Sequence, residues 1–372
     1  MDTIPLCRAH IESSELKAVE EVLKSGWLTH GPKTTEFENV FAEYVGVKHA
    51  VAMNSCTSAL FLAIKANNIT GEVLVPSFTF VASANAIVTA GATPVFVEIK
   101  RGDGNINSTL LEAKLTASTQ AVMAVHFAGQ CCEMDQILDF SRRHNLIIIE
   151  DSAETLGGTY KGKKSGSWGT GCFSFFPTKN ITTGEGGMLT TNDDDLMVKV
   201  RALIGHGIEK SSYDRSNDQI DWRRVAQIPG YNFRLSNILA ALGVEQMKKL
   251  DKMNSDRRER SFYLLDCLKN VEELELPNEN EDCDHVYQMF TVKVKRNRDD
   301  IVLKLRNKDI QASVHFDPPV HLHPAYRQYS TGQLPVTETT AKNIITLPMF
   351  PQLNRQDLDY MAESLKDIFT HG

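Results

Sequence analysis

From residue 50 to about residue 200 the chain alternates short apolar runs with amphipathic stretches. The apolar runs lie at 50–52, 73–75, 94–97, 121–126, 146–149, 172–176 and 188–190. Between them, stretches such as 58–66 and 135–143 place apolar residues at helical spacing. Strands that are apolar on both faces, with helices between them, predict a mostly parallel sheet covered on both sides.

The flanking regions have a different character. Leu16, Val19, Val22 and Leu23 mark an amphipathic helix that ends at Gly26, and Phe37, Val40, Phe41 and Tyr44 mark a second over 35–45. A long helical zone runs from 237 to about 270. Residues 287–293 alternate as a half-exposed strand, 301–307 are helical, 313–316 form a second strand, and a last helix covers 355–370. The chain therefore divides into a large α/β unit over 1–249 and a smaller α+β unit over 250–372, with the long helix bridging them. At ~150 residues per domain, 372 residues suit this division.

Charge and composition exclude several classes of function. Lysine plus arginine against aspartate plus glutamate is 40 against 47, a net charge of −7, so the whole chain has no footprint for nucleic acid. Residues 73–97 carry no charge and are long enough to span a bilayer. Pro76, Asn85, Gly91 and Pro94 interrupt them, and they read as two buried strands around a helix. Charges appear at once at the N-terminus, with no apolar stretch of signal-peptide length. Seven cysteines without CxxC spacing suit free thiols and a cytoplasmic location, with Cys131 and Cys132 in packing roles.

Four short segments carry chemistry. Glu150 and Asp151 end a buried strand, where open α/β sheets bind ligands; a helix cap explains Asp151 equally well. Lys179 follows the Phe-Ser-Phe-Phe-Pro-Thr run at 173–178 and precedes the glycine-rich 184–187. Desolvation would make its amine neutral and nucleophilic, able to form a Schiff base with a carbonyl. Ser174 could offer a hydroxyl to a phosphate. The small polar residues at 54–58 stand before an apolar helix, whose first-turn N–H groups suit an anion. Phe80 ends the Pro-Ser-Phe-Thr-Phe run at 76–80, where a ring can lie on a flat ligand. Each segment alone has a structural explanation. Together they supply an aldehyde-reactive lysine, an acid for a pyridinium nitrogen, an anion cradle and a stacking ring, which are the needs of pyridoxal 5′-phosphate (PLP).

With these motifs the chain resembles the DegT/DnrJ/EryC1/StrS sugar aminotransferases, a branch of the fold-type-I PLP enzymes. The resemblance runs over nearly the whole chain, through 25–33, 76–80, 150–153, 174–187, 230–236 and 347–351. It implies that Lys179 is the Schiff-base lysine and proton shuttle and that Asp151 pairs with the pyridinium nitrogen. Phe80 and Ala153 would pack on the two ring faces. Cys56, Thr57 and Ser174 would hold the phosphate, and Asn232 would reach the phosphate of a neighbouring subunit in a homodimer with shared sites. Trp27, Thr29, Arg234 and His315 would meet the substrate. Cys56 replaces a frequent glycine, and Glu154 stands near the cofactor's phenolic oxygen where many members have Gln or His. His321 and His323 with Asp317 suggest metal ligands, but their spacing suits a strand and no cysteines accompany them, so no metal is expected. Instead, the family uses this stretch to line the substrate mouth.

The family's dehydratases carry His where this chain has Lys179, which favours transamination. Gly-Trp-Leu-Thr at 26–29 and Thr-Thr-Gly-Glu-Gly-Gly at 182–187 resemble members that aminate C4 of a nucleotide-linked 4-keto-6-deoxy sugar, with L-glutamate the family's expected donor. The alternatives are a 3-keto nucleotide sugar, a keto-cyclitol, or a PLP-binding regulatory protein without turnover. Neither nucleic acid nor membrane is an expected partner.

Overall fold

In a computed structural model, the structure describes residues 3–208 and 223–371. Its centre is a seven-stranded sheet. The strands in chain order are β1 (His49–Met53), β2 (Glu72–Pro76), β3 (Thr93–Val97), β4 (Thr119–Val125), β5 (Ile147–Asp151), β6 (Thr159–Tyr160), β7 (Lys163–Lys164), β8 (Thr170–Ser174) and β9 (Gly187–Thr191). Of these, β6 and β7 belong to a separate small sheet. The central order is β1-β9-β8-β5-β4-β2-β3. Only β9 runs against the rest, pairing antiparallel with both β1 and β8. The predicted mostly parallel sheet is thus present, and the charge-free stretch 73–97 is β2, a helix and β3. No helix among the described residues is long and apolar enough to cross a membrane.

Side chains alternate across this sheet with a period of two. Val51, Met53, Val73, Val75, Met123 and Ile149 pack on one face, under α3 (Cys56–Ala66), α4 (Val81–Thr89) and α6 (Asp194–Ile204). Ala52, Leu74, Val122 and Ile148 face the other way. There they meet α2 (Pro32–Val45), α5 (Met134–His144) and the helix Asn237–Leu268, labelled α7. Burial on both faces explains why these strands read as continuous apolar runs.

Helix α1 (Ser13–Ser25) stops at Gly26, whose φ of 73° is the left-handed cap that glycine favours. Buried Glu15 on α1 meets Lys249 of α7 at 2.5 Å. Helix α7 spans about 48 Å at 1.5 Å per residue. Its first half, with Val244 and Leu250, joins the core of the large sheet. Leu264 and Leu268 at its far end join a second core around Phe290, Val292, Leu305, Ile345 and Leu365. This core covers an antiparallel sheet of Leu274–Glu275, Phe290–Val294 and Ile344–Leu347. Ile4 from the N-terminal segment also packs there and bridges to Ile310.

Two sequence expectations shift. No strand forms over 313–316; only Ser313 bridges, to Thr346. The chain then enters a segment with Pro318 and Pro319, which lack the N–H a ladder requires. The strand expected from 287 begins at Phe290, because Tyr287 holds a left-handed φ of 44°.

Candidate active site

The carboxyl ends of β1, β2, β4, β5 and β8 all open on one cleft of about 400 Å³, where parallel α/β sheets place ligands. Nine predicted residues line it: Cys56, Thr57, Phe80, Asp151, Ala153, Glu154, Ser174, Lys179 and His315. These come from segments separated by up to 259 positions, so the topology rather than the local sequence brings them together.

The two acids at the end of β5 separate because successive strand residues face opposite sides. Glu150 points away from α3. Gly166 N–H donates to its Oε2 at 2.7 Å, and the N–H groups of Trp168 and Gly169 donate to its Oε1 at 2.7 and 2.8 Å. His126 lies 3.2 Å from the same Oε2 and accepts at Nδ1 from Cys132 N–H at 3.0 Å, so Nε2 carries its proton and donates to Glu150. Glu150 is therefore a structural carboxylate that fixes the 166–169 turn. Asp151 faces α4 and the cleft. Ser83 Oγ donates to its Oδ2 at 2.7 Å, and Ala153 N–H to its Oδ1 at 3.2 Å. Thr79 sits 2.8 Å behind Ser83 and completes a relay of hydroxyls. No helix starts after Asp151, so it caps none.

Asp151 is only 6% exposed and forms no ion pair with any described residue. Burial raises its pKa above the usual 3.8, and the Ser83 hydrogen bond opposes that rise. A buried carboxylate with only neutral donors calls for a cation. Lys179 projects into the same cleft with its amine 3.4 Å from Glu154 Oε1, and Ala128 N–H holds the other oxygen of Glu154 at 2.9 Å. Burial lowers the pKa of His315, whose Nδ1 lies 2.9 Å from Thr346 Oγ1.

The anion cradle lies at the start of α3. Ser55 caps the helix by accepting from Ser58 N–H, which leaves the first-turn N–H groups of Cys56 and Thr57 without intrahelical acceptors. Burial raises the Cys56 thiol well above its usual pKa, so it offers its backbone rather than a thiolate. Gly187 presses directly on this turn: a Cβ there would stand 2.3 Å from the Ser55 carbonyl carbon and 2.5 Å from the Cys56 nitrogen. Phe80 stands 60% exposed at the cleft, its ring 6.1 Å from that of Phe316, and Ala153 lines the cleft as well. An amine, a buried acid lacking a cation, a helix N-terminus and an exposed ring suit the aldehyde, ring nitrogen, phosphate and ring of PLP in turn.

Four predicted residues do not line the cleft of their own chain. Asn232 is exposed and accepts from Arg234, 3.1 Å from Nη2. Trp27 packs under Gly31 and donates from Nε1 to His30 O, and Thr29 is exposed. The histidine stretch does not converge on one point. His321 bonds Ser77 Oγ at 2.7 Å, His323 reaches Pro318 O, and Asp317 pairs with Arg298. Sequence reasoning also missed residues that the structure adds to the site. Ser83 lies 68 positions from the acid that it holds. Cys7 and Gln288 line the cleft, and no local motif announces either.

The chain matches the DegT/DnrJ/EryC1/StrS aminotransferase family over residues 9–366. It is 39% identical to the spore coat polysaccharide biosynthesis protein SpsC of Bacillus subtilis, over 98% of this chain and 97% of that one. It is 38% identical to GDP-perosamine synthase of Caulobacter vibrioides, over 98% of each. Helicobacter pylori PseC, an aminotransferase involved in pseudoaminic acid biosynthesis, superposes with a TM-score of 0.93 at 30% identity over the full length of both chains. Near-complete coverage by relatives with this fold and chemistry identifies the molecule as a member of the DegT/DnrJ/EryC1/StrS aminotransferase family, a fold-type-I, PLP-dependent sugar aminotransferase.

Proposed function

We propose that this enzyme moves an amino group from L-glutamate to C4 of a 4-keto-6-deoxy hexose linked to a nucleoside diphosphate. The observation that carries the reading is the meeting of Lys179, Asp151 and the α3 N-terminus in one cleft. The 26–29 and 182–187 segments support the C4 position, and the full-length likeness to an enzyme named for a GDP-sugar supports the nucleotide. PLP, when bound, supplies an electron sink for the pair left as a proton departs the substrate carbon. Lys179 holds the cofactor and takes and returns that proton at Nζ. Asp151 keeps a proton on the ring nitrogen, and Ser83 fixes the carboxylate's direction. The N–H groups of Cys56 and Thr57, with Ser174, bind the phosphate, while Phe80 and Ala153 sandwich the ring. His315 lines the cleft and contacts the substrate there, while Trp27, Thr29 and Arg234, outside their own chain's cleft, would meet the substrate bound by the neighbouring subunit.

We place the reaction in the cytoplasm and in a homodimer. Asn232 is exposed and outside its own cleft, which suits a side chain that serves the neighbouring subunit. The test is a panel of 4-keto and 3-keto nucleotide sugars and a keto-cyclitol with L-glutamate, read by mass and NMR of the product. Amination at C4 is expected. Amination at C3 or of the cyclitol would replace the substrate assignment, and no conversion of glutamate by cofactor-loaded protein would favour a regulatory role.

A further inference from the structure

The loop that carries Lys179 is gripped by three separate parts of the chain. Four successive carbonyls each accept a side-chain hydrogen bond. Cys7 Sγ donates to Pro177 O at 3.3 Å, and Gln288 Nε2 to Thr178 O at 2.8 Å. Arg257 donates from Nη2 to Lys179 O at 3.4 Å and from Nη1 to Asn180 O at 3.5 Å. Cys7 belongs to the N-terminal segment, Arg257 to α7, and Gln288 to the approach to the second sheet.

Arg257 is the unusual member. It is 3% exposed, forms no ion pair among the described residues, and leaves its Nε without an acceptor. Burial lowers its pKa to about 10. A buried cation without a carboxylate is expensive, and an apolar side chain of similar size would serve packing better. The titratable groups sharing the Lys179 cleft are Glu154, Asp151, Glu185, His126, His315, Cys56 and Cys7. From the α7 side Arg257 adds two N–H donors on the carbonyls of Lys179 and Asn180, where they fix the backbone that carries the lysine.

We propose that Arg257 is a positioning residue for Lys179 that aims its amine, with Gln288 and Cys7 completing a clamp on the same loop. The clamp ties the lysine to the second sheet and to the N-terminal segment. The proposal rests on the reading of Lys179 given above.

The test compares wild type, Arg257→Met, Arg257→Lys and Gln288→Met as PLP-loaded, full-length proteins, with circular dichroism to check the fold. The readout is the rate and half-saturation of cofactor conversion by L-glutamate. For Arg257→Met the saturated rate should fall about 10-fold or more, with half-saturation changed less than about 3-fold. Arg257→Lys should restore most of that rate. Gln288→Met should slow the saturated rate about 3-fold or more. A folded Arg257→Met with a wild-type rate overturns the proposal. If Arg257→Met does not fold, a wild-type rate in Gln288→Met overturns it instead. Borohydride labelling of wild type at a lysine other than Lys179 would sink the reading of Lys179, and this proposal with it. Labelling at Lys179 with indifferent variants sinks the clamp alone.

Discussion

Ser83 Oγ donates to Asp151 Oδ2 at 2.7 Å across 68 positions of sequence. The hydroxyl comes from α4 and the carboxylate from the end of β5, so the contact exists only because β2 and β5 deliver their following segments to the same edge of the sheet. It leaves Asp151 buried, aimed and without a cation of its own.

Asp151→Asn removes the charge with little change of shape. Transamination should fall at least about 1,000-fold, given how strongly a charge acts in a low-dielectric site. The cofactor should stay bound, because the α3 N-terminus and Lys179 remain. Turnover at the wild-type rate would reduce Asp151 to a structural residue.

The same substitution has an opposite effect on the cofactor-free chain. Burial raises the Asp151 pKa, so the folded state binds this proton more tightly than the unfolded state. Stability from this group is therefore present at low pH and lost as pH rises through the folded pKa. Apo Asp151→Asn should melt at or above wild type at pH 7.5, and the difference should shrink as pH falls toward 4. Differential scanning calorimetry of the two apo-proteins across that range checks it.

Lys179 should carry the cofactor. Borohydride reduction of the yellow holoenzyme should fix PLP to the peptide containing Lys179, as read by mass spectrometry. Lys179→Ala should bind PLP without a covalent link and lose essentially all turnover. An adduct at any other lysine would reassign the site.

Shared sites predict complementation. Lys179→Ala and Asn232→Ala should each be impaired alone, the second through weaker cofactor retention by roughly 1.5–3 kcal/mol for a charge-assisted bond. Co-expressed hybrids would contain one site with both residues intact, and retention should recover there. Dimeric hybrids that hold PLP no better than Asn232→Ala would confine Asn232 to its own chain.

Glu15 links α1 to α7. Burial opposes its charge, but hydrogen bonds from Lys249, Gln246 and the backbone overcome that and bring its pKa down to about 2. A depressed carboxylate stabilises the fold above its unfolded pKa of about 4.5 and loses that contribution as pH falls toward 2. Glu15→Gln should cost about 2–3 kcal/mol at pH 7 by leaving Lys249 without its buried partner. The deficit should narrow below pH 4 in urea titrations.

The sheet was legible from its apolar runs, because burial on both faces leaves no room for polar residues at either parity. The separation of Glu150 from Asp151 follows from the same period of two, once β5 is known to be a strand. The strand expected at 313–316 failed because its backbone partner stops after Ser313, ahead of two prolines at 318 and 319.

The sequence by itself determined the chemistry: a lone lysine after an apolar strand, an acid at a strand end, and small polar residues before a helix are local patterns with local causes. Tertiary structure alone decided which of these groups share a cleft, which acid faces it, and which side chains hold the lysine loop. Those contacts join Cys7, Ser83, Lys179, Arg257 and Gln288 across as many as 281 positions. Their distances depend on strand order and on the path of α7, which no local spacing encodes.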